Sequence, residues 1–108
     1  MRHYLVKFSY TPETWARLIA NPEDRRGAAR EYLKAVGGTL QGFWYAFGEY
    51  DAYLIAEVPD DTAMATVALA ISAGGALSSF HTTPLLDVAD AVAAMRQAGK
   101  IQYRAPGA

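Results

Sequence analysis

The sequence predicts an α+β domain: two helices on one side of a four-stranded antiparallel sheet, with one more helix at the end. Three observations carry this expectation. Residues 2–10 and 51–58 alternate as half-buried strands do, Thr11-Pro12 and Pro59-Asp60-Asp61 open helices, and glycine pairs at 37–38 and 74–75 close them.

The first strand, "RHYLVKFSY", sets Tyr4, Val6, Phe8 and Tyr10 on one face and His3, Leu5, Lys7 and Ser9 on the other. Thr11 then offers an N-cap with Pro12 at the first helical position, where a missing N–H is harmless, and the next turns group Trp15, Leu18 and Ile19 on one side. Asn21-Pro22 repeats that signal, so the helical region is expected to break there and restart through "EDRRGAAREYLKAV". Its apolar face would be Ala28/Ala29, Tyr32, Leu33 and Val36. "TLQGFWYAF" (39–47) and "DAYLIAEV" (51–58) flank a short turn and read as a hairpin. A small-residue helix, "TAMATVALAISA", and a weaker fourth strand, "ALSSFHTT", follow. Thr83-Pro84 is expected to open the last helix through "DVADAVAAMRQA", with Val88, Ala91/Val92 and Met95 spaced for burial. Gly99 ends it, leaving residues 1–98 as a single domain and 99–108 as a tail.

The order β-α-β-β-α-β is the ferredoxin-like split-βαβ pattern, with strands in the spatial order 4-1-3-2. Both crossover helices then lie on one face of the sheet. The other face carries large side chains that one chain leaves to water, so a partner or a ligand is expected to cover it.

Composition narrows the function. The 108 residues are one domain's worth, half of them apolar, with a net charge of -1. A basic excess or stripe is missing, which argues against a nucleic-acid partner. With no cysteine, thiolate catalysis, disulfides and Cys-ligated metal centres are excluded. No apolar run reaches the roughly 18 residues of a membrane span, and the N-terminus reads as a strand rather than a leader, so no membrane and a cytoplasmic location are expected. P-loop, Rossmann, nucleophile-elbow and His-Glu-x-x-His patterns are absent. The charged stretch "EDRRGAAREYLK" reads as a solvated helix face.

Several stretches together resemble the GYD-domain family. They are the Gly48-Glu49-Tyr50-Asp51 turn, the opening "YLVKFSYT", the "AAREYLKAVGG" helix end, the aromatic "GFWYAFGEYD", the "EVPDDTAMA" helix entry and the closing "SSFHTTPLL". The resemblance covers nearly the whole chain up to the last helix. It implies a dimeric α+β barrel, two sheets packed face to face across a two-fold axis, and so a homodimer or a higher oligomer. It implies no reaction. Relatives on this fold include cofactorless monooxygenases, ring isomerases, haem enzymes and ligand-sensing modules.

In the turn, Gly48 is expected to supply a positive φ and Asp51 to accept backbone N–H groups, fixing the hairpin. The alternative has Tyr50 or Asp51 entering a barrel-end pocket as an acid/base pair. Pairing the first and third strands at a constant index sum sets His3 near Glu57, Lys7 near Tyr53 and Ser9 near Asp51, and puts His81 of the fourth strand beside the start of the first. His3, Lys7, Asp51, Tyr53, Glu57 and His81 become the candidate ligand pocket on the barrel-interior face, while Ala52 and Ala56 face the helices. His3, Glu57 and His81 also form a ligand set of the kind that binds a divalent metal, although no cofactor is expected. Phe43, Trp44, Tyr45 and Phe47 would wall a flat ligand or fill a dimer core.

Three classes of function follow. One is a homodimer that binds a small organic ligand on the interior sheet face. The others are a cofactor-light enzyme acting by proton transfer or oxygenation on a small flat substrate, and a pure dimerisation module.

Overall fold

The computed structural model describes residues 1–107. The one residue of the expected tail outside them is Ala108. Eight elements follow in order: β1 (Arg2–Tyr10), α1 (Pro12–Ala20), α2 (Arg26–Lys34), β2 (Thr39–Tyr45), β3 (Ala52–Val58), α3 (Asp61–Ala73), β4 (Leu77–Leu85) and α4 (Val88–Ala98). The sheet is antiparallel in the order β2-β3-β1-β4, the topology expected from the pattern.

Alternation in β1 and β3 decides the core. Tyr4, Val6 and Phe8 face the helices together with Ala52, Leu54, Ala56 and Val58. Ala52 and Ala56 have no exposed surface, which lets helix side chains reach the sheet. Leu33 of α2 and Met64 and Val67 of α3 complete the layer. Each large side chain so buried contributes about 1.5–3 kcal/mol.

The helix starts follow local chemistry. Thr11 Oγ1 accepts from Thr14 N at 3.2 Å, and Asp60 Oδ1 accepts from Ala63 N at 2.8 Å, so α1 and α3 are both capped by side chains. Thr14 Oγ1 in turn donates to Ala76 O at 2.8 Å, tying α1 to the entry of β4. Gly37, at φ 78°, ends the turn after α2 in the left-handed region.

Some expectations are corrected. The helical region breaks at Asn21, the C-cap of α1, as expected, but α2 begins only at Arg26 rather than at the start of "EDRRGAAREYLKAV". Asp24 holds that entry instead, accepting from Arg26 N at 3.0 Å and pairing with its guanidinium at 2.6 Å. Ile19 points to solvent rather than joining Trp15 and Leu18 on the core. Thr83-Pro84 does not open a helix: both residues lie inside β4, an edge strand that can spare the missing N–H.

The last helix departs furthest from expectation. Val88 and Met95 are 80% and 67% exposed, and α4 buries no residue. The radius of gyration is 17.8 Å, against about 13 Å for a compact chain of this length. Helix α4 therefore projects from the domain with Val88 and Met95 uncovered, while Ala91 and Val92 are half-buried. Nor does residue 99–107 form a further helix or strand, and Ile101 and Tyr103 are exposed there.

Candidate functional site

The hairpin corner is built around Asp51. Its backbone closes the turn, with Ala46 N donating to Asp51 O at 2.8 Å and Asp51 N donating to Phe8 O at 3.0 Å. Its carboxylate turns towards α1, where Oδ2 accepts from Tyr10 N at 3.0 Å and from Trp15 Nε1 at 2.9 Å. Asp51 is thus a brace between β1, α1 and the hairpin, and it does not share the face of Lys7 and Tyr53. Gly48 has no positive φ, because the corner is spread over residues 46–51 rather than forming a tight turn that requires one.

On the open face, the pairing of β1 with β3 is the expected one: His3 opposite Glu57 and Lys7 opposite Tyr53. Strand β4 differs. His81 lies opposite Lys7, and Leu85 takes the place beside His3. His81 therefore stands four residues along the sheet from His3, about 13 Å at strand rise, and the three-residue set His3, Glu57 and His81 is not assembled within the chain.

Two separate clusters result. At one corner His3 Nε2 lies 3.4 Å from Glu57 Oε2 and Nδ1 lies 3.5 Å from Asp87 Oδ1, while Gln41 Nε2 donates to Glu57 Oε2 at 3.1 Å. Among the described residues, no group of three His, Cys, Asp or Glu side chains is disposed to hold a metal ion. In the other cluster Tyr50 packs edge-on against His81 at 5.3 Å and against Tyr53 at 6.1 Å, with Lys7 Nζ 5.0 Å from its ring centre. Tyr50 is a member that strand parity could not supply, because it lies in the turn.

Trp44 lies on this same face opposite Tyr53 and is 56% exposed. A Cβ at Gly42 would meet its indole at 2.3 Å, so the glycine is what lets the ring lie along the strand. Of the other β2 aromatics, Phe43 packs on the helix side against Phe8 and Tyr45, while Phe47 is fully exposed in the turn. The four do not form one wall.

A deep, partly open space lies on the opposite side of the sheet. Helices α1, α2 and α3 stand apart over the central strands and bound, with the sheet, a cavity of about 790 Å³. Phe8, Phe43 and Phe80 form much of its floor, and Met64, Val67 and Ile71 of α3 form one wall. Its polar lining is concentrated in one stretch of chain: Thr14, Arg17, Asn21, Glu23 and Arg25. Tyr10 lines it too. Burial, and then the Tyr45 hydroxyl 3.2 Å away, push the Tyr10 phenol well above its ordinary range. No cavity residue belongs to the six expected from sequence. The signal available was the apolar face of β1 together with light, alanine-rich helices, and it reads equally well as a filled core.

Comparison with known proteins agrees with this architecture. The GYD domain matches residues 4–95. The fold is similar to the crystal structure of FFRP-DM1, at 14% identity and a TM-score of 0.51, covering 80% of this chain and 100% of that one. It is also similar to the hypothetical protein PHS023 from Pyrococcus horikoshii, at 12% identity and a TM-score of 0.52, covering 81% of this chain and 92% of that one. At such identities the likeness is one of fold alone. No curated protein matches the chain. Among the described residues, no helix is long and apolar enough to cross a membrane.

Proposed function

The chain belongs to the GYD-domain family, and from that premise we propose that it works as a homodimer binding a small, largely apolar organic molecule in the helix-side cavity of each copy. The observation that carries this reading is the cavity of about 790 Å³ with its aromatic floor. That volume falls within the range of about 300–1,000 Å³ typical of small-molecule sites, and its apolar walls favour apolar surface over water.

Dimerisation assigns a role to the open sheet face. Leu5, Ile55 and Tyr53 lie there half-buried and Trp44 exposed, only partly covered by their own chain. A second copy placed across a two-fold axis offers the same surface in return. The projecting α4, whose N-cap Asp87 lies beside His3, leaves the domain at the edge of this face and would gain cover from the partner. On this reading the candidates His3, Lys7, Tyr53, Glu57 and His81 lie at the interface, and the ligand sits behind the sheet.

The test is calorimetric titration with 2-naphthalenemethanol, a neutral aromatic probe, of the wild type and of Ile71→Trp, which fills the cavity. The wild type is expected to bind and the variant to lose binding while keeping its circular dichroism. Absence of binding by the wild type, or equal binding by both, defeats the reading.

A further inference from the structure

The charged groups of the cavity are few, and they lie together. Thr14, Arg17, Asn21, Glu23 and Arg25 come from α1 and the loop after it, so all of the charged lining is drawn from one segment, while Tyr10 and Tyr32 add phenols elsewhere and aromatic and aliphatic side chains make up the floor and the α3 wall. A ligand matched to this distribution is itself divided, with an apolar body and one polar end.

Charge decides the sign of that end. The cavity's charged lining is Arg17, Glu23 and Arg25, two cations against one anion. Glu23 is already engaged, its Oε1 lying 3.3 Å from Arg25 Nη1. Arg17 Nη2 donates to Thr14 Oγ1 at 3.3 Å, and among the described residues no carboxylate pairs with it. Of five guanidinium N–H donors this leaves most unspent. Thr14 is fixed by its own bond to Ala76 O, so it tethers the guanidinium at one terminal nitrogen. A planar guanidinium held in this way fits a carboxylate through two parallel hydrogen bonds.

The body is set by the floor. Phe8 and Phe80 lie nearly parallel, at 24° with centroids 6.4 Å apart, and Phe43 meets Phe8 edge-on at 83°. Neighbouring side-chain rings at these angles offer both a flat surface and an edge to a ring system.

We infer that the cavity's ligand is an aromatic carboxylate, its rings over Phe8, Phe43 and Phe80 and its carboxylate on Arg17. This rests on the cavity being a ligand site, and it adds the chemistry that Arg17 selects. Arg17 is a specificity residue here, and nothing in the fold's core depends on it, since it is exposed on α1.

The experiment is a matched pair of calorimetric titrations, 2-naphthoate against 2-naphthalenemethanol, on the wild-type chain, Arg17→Gln and Arg17→Lys. A charge-assisted bidentate contact predicts that the wild type prefers the carboxylate by about tenfold or more. Arg17→Gln should bring the two ligands within about twofold by weakening the carboxylate alone, and Arg17→Lys should keep part of the preference because it keeps charge without the fork. Equal affinity of the wild type for both ligands overturns the inference and leaves the cavity reading standing. So does a preference that survives in Arg17→Gln. If neither ligand binds the wild type, the cavity reading itself falls, and this inference with it.

Discussion

Trp15 Nε1 donates to Asp51 Oδ2 at 2.9 Å, and the same oxygen accepts Tyr10 N at 3.0 Å. One carboxylate oxygen thus joins the first helix, the end of the first strand and the hairpin corner. Asp51→Ala would leave a part-buried backbone N–H and an indole N–H without this acceptor. The expected cost is about 2–3 kcal/mol, read as a lower urea midpoint with an unchanged slope, together with altered Trp15 emission.

The proposed interface predicts a change of mass. Ile55→Glu places a charge at the centre of the open face, and two-fold symmetry places it there twice. Light scattering should find the wild type at twice 11.7 kDa and the variant at 11.7 kDa. Loss of dimer affinity should be at least about 100-fold, because neither buried carboxylate gains a partner.

At Gly42 the effect should separate fold from association. An alanine Cβ would meet the Trp44 indole at 2.3 Å, and the exposed ring can swing away. Stability of the single chain should therefore change by less than about 1 kcal/mol. In a Trp15→Phe background, which leaves Trp44 as the sole indole, emission should shift and the dimer should dissociate at higher concentration than the wild type.

Tyr10 should titrate late. Burial and the Tyr45 hydroxyl hold the neutral phenol, so the folded value lies above the usual one of about 10. Its contribution is therefore fully present below pH about 10 and is lost as pH rises above that through the folded value. Absorbance near the phenolate band should show a late phase, to which Tyr4, also raised by burial and by Asp61, contributes, and Tyr45→Phe should shorten the Tyr10 part of that lag.

Asp24 should titrate early. Its hydrogen bonds from the Arg26 side chain and backbone lower the carboxyl to about 2. The linked stabilisation is present above the ordinary carboxylate value of about 4 and is lost as pH falls through about 2. Carbon NMR of the Asp24 carboxyl checks the midpoint, and Arg26→Ala should return it most of the way to the ordinary value.

The pairing of β1 with β3 was legible because both strands alternate without interruption and a slip of one residue would turn every core side chain outward. Strand β4 lacks that constraint. Its Ser78, Ser79, Thr82 and Thr83 tolerate either face, so the position of His81 could not be read from spacing, and a metal set at His3, Glu57 and His81 followed from the wrong register. Pro84 misled for a related reason: a proline that opens a helix and one that sits on an edge strand look alike in sequence. The Asn21-Pro22 signal marked the break but not the restart, because Asp24 and Arg26 organise the entry to α2 about one turn of chain later than a simple cap would.

By itself the sequence determined the element order, the strand order and the faces of β1 and β3, because these follow from local periods of two and 3.6 residues and from caps. The tertiary structure alone decided the rest. Whether an apolar face is packed solid or encloses a cavity depends on how far apart three helices stand. The partners of the Asp51 carboxylate depend on contacts across 36 and 41 residues of chain. The side of the sheet that holds the cavity is a non-local property of this kind, and residue parity along the strands could not show that a cavity lies behind them.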